Sequence, residues 1–127
     1  MGLYSDDLAR MGLFTADSWR ASRLVVDTGL HAMGWTRQEA VEWMAAHNAL
    51  PRPAVETEVD RYISYPGQAL AYMVGRREIV RLRTWASESL GTRFDLRDFH
   101  DLVLRVGILP LPALARTVER WVQRQAL

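Results

Sequence analysis

Apolar residues along this chain recur at helical spacing, three and four apart, and runs of them end at glycine or proline. No stretch reads as an alternating strand. Ser5-Asp6-Asp7 offers a cap for a short first helix through about Met11. Thr15 offers a cap for a second, running to about Met33 and stopped by Gly34. Thr36-Arg37-Gln38-Glu39 is a capping box that opens a third through about Ala46. Pro51 and Pro53 bracket a break, and a fourth covers about Ala54 to Ile63. After a Tyr65-Pro66-Gly67 turn, a fifth runs from about Gly67 to Leu90 and ends at Gly91. Asp95 starts a sixth that Gly107 ends, and Pro112 begins the last. That last helix places Leu114, Val118, Trp121, Val122 and Ala126 on one stripe. The pattern predicts an all-α fold of about six to seven helices in an irregular orthogonal or antiparallel bundle. With short connectors and no repeat, residues 1–127 read as a single helical domain.

The segment Trp19 to Met33 carries the strongest candidate chemistry. At 100° per residue, Arg20, Arg23, Asp27 and His31 fall in one narrow stripe. Leu24, Val25, Val26, Leu30, Ala32 and Met33 occupy most of the remaining circumference. A surface helix has a broader polar face, so this one is expected to be buried on most sides. Its stripe must then meet partners or a cleft. The i,i+4 steps let Arg23 reach Asp27, and Asp27 reach His31. Two readings stand: a salt-bridged stripe facing another helix or solvent, and the wall of an active site.

A second segment, Arg61 to Tyr72, gathers Arg61, Tyr62, Tyr65, Gln68 and Tyr72 around a turn into a helix. Free amides at a helix start attract anions, and Gly67 lets a ligand approach the backbone. Such a set suits gripping a carboxylate or stabilising an oxyanion. It equally suits a Pro-Gly turn with tyrosines packed at a helix corner. His47 reads as a helix C-terminal cap, His100 as part of a solvated turn, and Arg76, Arg77, Arg81 and Arg83 as a solvated face.

Composition narrows the chemistry. The absence of Cys excludes disulfides, thiolate catalysis and Cys-based zinc sites, and suits a cytoplasmic setting. No HExxH, Gly-rich phosphate loop or nucleophile elbow occurs, so no complete catalytic or metal site is expected in this chain. A net charge of +1 from 16 basic and 15 acidic residues argues against a nucleic-acid partner. All the basic residues are Arg, which fits either a biased codon supply or anion recognition by guanidinium forks. No apolar run approaches the ~20 residues of a membrane span, and acids stand near Met1 where a signal peptide has bases.

Several motifs together resemble one family. Trp19-Arg20, Arg23-Leu24-Val25-Val26-Asp27-Thr28-Gly29-Leu30-His31 and Gly34-Trp35 are similar to its pattern W-R-x-x-R-L-V-V-D-T-G-I-H-x-x-G-W. Glu58-Val59, Arg61-Tyr62 and Pro66-Gly67-Gln68-Ala69-Leu70 with Tyr72 are similar to E-V-x-R-Y-x-x-x-P-G-Q-A-L-x-Y. Arg93-Phe94-Asp95-Leu96, Phe99-His100 and Gly107-Ile108-Leu109-Pro110-Leu111 follow its closing motifs. The family is the bacterial domain of unknown function 885.

The resemblance implies a larger, mostly helical, metallopeptidase-like protein of several hundred residues. Its zinc would be held upstream, by an H-E…G-H segment and a Glu in E-G-W-A-L-Y. The resemblance places Met1-Gly2-Leu3-Tyr4 just after that second segment, so this chain corresponds to the C-terminal portion. By analogy with helical zinc peptidases, His31, Tyr65 and Tyr72 would polarise a scissile carbonyl. Arg23, Arg61 and Gln68 would hold a substrate carboxylate, with Asp27 and Tyr62 beside them. Met73 stands where the family often has Lys, and Tyr65 falls at a variable position of the pattern.

The resulting expectation is the substrate-binding part of a zinc-dependent carboxypeptidase-like hydrolase acting on a peptide-like substrate, inactive alone and with no cofactor of its own. Its partner would be the missing N-terminal half of the fold. The competing expectation is a stand-alone helical interaction module that self-associates, for instance as a homodimer.

Overall fold

The computed structural model describes residues 4–126, the side chain of Ala126 excepted. The Met1–Leu3 start lies outside the described residues, as does the side-chain placement expected for Ala126. The described residues form six α-helices and two 3₁₀ turns, with no strand. The helices are α1 (Asp7–Ala32), α2 (Arg37–His47), α3 (Arg52–Ser64), α4 (Ala71–Leu90), α5 (Leu96–Arg105) and α6 (Leu111–Ala126). The 3₁₀ turns Gln68–Leu70 and Gly91–Arg93 precede and follow α4.

The short first helix and the second expected from sequence are one. Asp6 caps α1, accepting from the Ala9 amide at 2.7 Å, and the helix then runs through Thr15 without a break. Gly12 interrupts nothing, because a lone glycine costs a helix only about 1 kcal/mol and the turns on either side extend through it. Elsewhere most local signals hold, although α4 begins only at Ala71 after a 3₁₀ turn instead of at Gly67, and α3 begins at Arg52, before Pro53. Thr36 and Glu39 form the reciprocal capping box. Asp95 caps α5 through the amides of Arg97 and Asp98. Pro53 sits inside the first turn of α3, where its missing N–H would be unpaired anyway.

The chain divides into two units, one through Met73 and one from Val74. In the first, α1 packs on α2, α3 and the Gln68–Leu70 turn, and α2 packs on α3. Val26, Ala40, Val41, Met44, Val55, Val59, Tyr62 and Ala69 form its core, edged by Trp19, Trp35 and Trp43. In the second, α5 packs on α6 around Leu82, Ala86, Leu90, Phe99, Leu114, Val118, Trp121 and Val122. The expected α6 stripe, from Leu114 through Val122, is thus the buried face of that helix.

In α1 the expected burial holds at Val26 and Leu30, which join the core, but not all round the helix. Arg23 and Asp27 are buried, at 8% and 2% exposure, while Val25 and Met33 stand out at 39% and 67%. Leu8, Met11 and Phe14 are exposed as well. The middle of the polar stripe, Arg23 and Asp27, faces the protein, its ends Arg20 and His31 are exposed, and part of the apolar face is exposed too. The Arg76, Arg77, Arg81 and Arg83 run is exposed, as expected, with Arg81 paired to Glu78 at 2.7 Å.

Candidate functional site

Arg23, Asp27 and His31 do not pair along α1. Each reaches across to α3 or the following turn, whereas Arg20 donates to the Ala16 carbonyl of its own helix at 3.4 Å. Arg23 donates from Nε to the Tyr62 hydroxyl at 3.1 Å, and its Nη2 lies 3.5 Å from Glu58 Oε2. Both Asp27 oxygens accept from the Gly67 amide at 3.1 Å. His31 Nε2–H donates to the Tyr62 carbonyl at 3.0 Å, since a carbonyl can only accept. The anticipated Arg23–Asp27 and Asp27–His31 contacts are replaced by these longer-range bonds. Burial explains the choice: a buried donor or carboxylate is stabilised most by the nearest unpaired backbone group or opposite charge.

The turn is therefore not a vacant anion site. Gly67 adopts φ 80°, a conformation glycine accepts freely, and its amide points at the protein's own carboxylate. Asp27 fills the place that an external anion would take. Three of the expected contact residues, Arg23, Asp27 and Tyr62, are buried and position the wall from behind.

Glu58 organises this arrangement, and the reading from single residues missed it. Its Oε2 accepts from Tyr62 OH and from Arg61 Nη2, each at 2.8 Å, while Oε1 accepts from Arg61 Nε at 3.3 Å. The Tyr62 hydroxyl also accepts from Trp19 Nε1 at 3.2 Å, so all its hydrogen-bonding capacity is used. The available signal was the i, i+3, i+4 spacing of Glu58, Arg61 and Tyr62, which places them on one helix face. Burial alone would raise the Glu58 pKa. The hydrogen bonds from Arg61 and Tyr62, with the charges of Arg61 and Arg23, outweigh it and hold the carboxyl below its usual range.

In front of these buried groups lie the accessible ones. Arg61 Nη1 donates to Gln68 Oε1 at 2.8 Å, and Gln68 Nε2 reaches the Tyr72 hydroxyl at 3.5 Å. The Tyr72 ring rests on the Arg23 guanidinium, 4.5 Å from its centroid, with Trp19 at 4.9 Å from the same cation. Tyr65 and His31 are exposed, with His31 Nε2 committed to the Tyr62 carbonyl. His47 closes α2 by bonding the Trp43 carbonyl, and His100 is exposed on α5. Among the described residues, no group of three His, Cys, Asp or Glu is placed to hold a metal ion. No helix among them is long and apolar enough to cross a membrane.

The two phenols of this cluster are tuned in opposite directions. The Gln68 amide, then the charge of Arg23, hold Tyr72 below the ordinary phenol range. Burial, together with the bond to Glu58, pushes Tyr62 above it. In an alkaline titration followed by phenolate absorbance, Tyr72 is expected to ionise first, and Tyr72→Phe should remove that earliest step. An unchanged onset in the variant would refute the assignment. Because the folded pKa of Tyr62 is raised, its contribution to stability is complete below about 10 and is lost as pH climbs through the raised value. Tyr62 should thus ionise together with unfolding.

A crystal structure from Colwellia psychrerythraea, of a protein provisionally designated a lipoprotein, resembles this chain with a TM-score of 0.94 and 42% identity. The likeness covers 97% of this chain and 21% of that one, so the chain spans about a fifth of that protein's length. No curated protein matches the chain. The family model described as bacterial protein of unknown function matches residues 1–118, which include Glu58, Arg61, Tyr62 and Tyr72. By that match, the chain belongs to the DUF885 family of bacterial proteins.

Proposed function

We propose that this chain is the substrate-gripping wall of a larger carboxypeptidase-like hydrolase, with the bond-breaking groups supplied by the rest of the family architecture. The observation that carries this reading is the exposed Tyr72 phenol, seated on the buried Arg23 cation and bonded by Gln68. A phenol polarised in this way donates a strong hydrogen bond to a developing oxyanion. Arg61 and Gln68 stand beside it. A substrate carboxylate that displaced the Gln68 amide from Arg61 Nη1 would gain a charge-assisted bond. Arg23, Asp27, Glu58 and Tyr62 keep these groups in place, and His31 ties the end of α1 to α3.

The zinc implied by the family resemblance finds no donor set among the described residues, so no step is assigned to it in this chain. The chain alone is expected to be inactive. Zinc-dependent peptide hydrolysis by the purified chain would overturn that expectation. In a full-length family member, replacing the tyrosine at the position of Tyr72 by Phe should lower kcat by about 10²-fold, as for loss of an oxyanion donor. An unchanged kcat would remove Tyr72 from the chemistry.

Leu8, Met11 and Phe14 favour a second reading, in which the apolar start of α1 meets another polypeptide, either the preceding part of the family fold or a second copy. Light scattering on the isolated chain separates these, since a dimer supports the second copy. The lipoprotein designation of the Colwellia protein also sets a membrane-anchored parent against the cytoplasmic one expected from composition, and cell fractionation of a full-length member distinguishes them.

A further inference from the structure

We propose that the groove along α2 between Trp35 and His47 is a binding site for an organic cation, an alkylammonium or guanidinium group. The groove encloses about 490 Å³ and is lined by Trp35, Glu39, Glu42, Trp43, Ala46 and His47. All six belong to the first unit, and none belongs to the Tyr72 cluster. Glu39, Glu42, Trp43 and Ala46 are spaced i, i+3, i+4 and i+7, so they share one face of α2.

The chemistry of the lining selects the occupant. The indoles of Trp35 and Trp43 are tilted at 47° with centroids 6.3 Å apart, which makes an open aromatic corner. His47 stacks on Trp43 at 4.0 Å and braces it. Aromatic faces attract cations, and most strongly those that shed water easily, such as alkylammonium and guanidinium groups. Two carboxylates border the corner and no arginine lines it. Glu39 spends Oε2 on the Thr36 amide and hydroxyl, and Glu42 spends Oε1 on the Gln38 side-chain amide. Each carboxylate keeps one oxygen for a ligand. Charge complementarity therefore favours a cation over a neutral or acidic group.

The backbone beneath is built for this corner. Trp35 N–H donates to the Gly29 carbonyl at 2.9 Å, and a Cβ at Gly29 would run into the Trp35 ring. A buried glycine inside α1 thus seats Trp35 directly on the helix.

The test is titration of the purified chain with tetramethylammonium chloride and, separately, methylguanidinium chloride, followed by the indole N–H signals in nuclear magnetic resonance. Sodium chloride at equal ionic strength and tert-butanol serve as charge and shape controls. Saturable shifts of Trp35 and Trp43 with an organic cation, absent with both controls, are the expected result. The stronger of the two cations identifies the source as an ammonium or an arginine-like group. Glu42→Gln, at an exposed position, should weaken binding about three- to fivefold, the scale of an exposed charge pair. Shifts no larger than those with sodium, or undiminished affinity in Glu42→Gln, would overturn the proposal.

Discussion

Glu58→Ala is expected to lower the unfolding free energy by about 3 kcal/mol or more, measured by urea denaturation with tryptophan fluorescence. The size follows from what remains behind. Arg23, 8% exposed, would be left without its counter-charge, and Tyr62, fully buried, without an acceptor for its hydroxyl. Breaking one side of a buried ion pair costs far more than the pair contributes, because the stranded charge stays desolvated. Glu58→Gln should cost less, since its amide oxygen can still accept from Tyr62. A loss below about 0.5 kcal/mol in Glu58→Ala would mean that these bonds do not hold the unit together.

The same residue sets an acid limit. The folded pKa of Glu58 is depressed, so its stabilisation is present above the ordinary carboxyl value of about 4.3 and is lost as pH falls through the lower folded value. Glu39, Asp60 and Glu78 are depressed too, first by bonds from Thr36, Arg37 and Arg81 respectively. The acid slope of the native chain is therefore shared. The difference between native and Glu58→Gln slopes isolates the Glu58 part, and equal slopes would contradict it.

The second large effect is a contrast within one helix. Gly29→Ala should destabilise by about 1–3 kcal/mol, whereas Gly12→Ala should stabilise by up to about 1 kcal/mol. Both positions lie in α1 with helical backbone, and both substitutions relieve the helix of glycine's conformational freedom. They differ only in surroundings. A Cβ at Gly12 meets nothing within 4 Å, while one at Gly29 meets the fused ring atoms of Trp35. An indole pinned through its own backbone bond to Gly29 cannot swing aside cheaply. Thermal midpoints shifting in the same direction for both variants would refute this account.

Much of the fold was legible in the order of residues. The capping box at Thr36, the cap at Asp95, the glycine stops and the α6 stripe all depend on neighbours within one or two turns, and such local geometry is written in local spacing. Periodicity also found the stripe of Arg23, Asp27 and His31, and the Pro66-Gly67 signal found the turn within Arg61 to Tyr72. It misjudged the helix around Thr15, because a possible cap does not end a helix that no proline interrupts.

What the spacing left open was which partner each polar group takes. A helical period gives a direction around the axis, not the identity of whatever packs there. Arg23 chose Glu58 and Tyr62 over Asp27, and Asp27 chose the Gly67 amide, only because α1, α3 and the turn come together. That meeting buried Arg23 and Asp27, filled the turn with the protein's own carboxylate, and left Tyr72, Gln68 and Arg61 at the surface. The residues and their helices were determined by sequence. Their division into buried supports and accessible donors was decided by packing, since desolvation depends on neighbours that are distant along the chain.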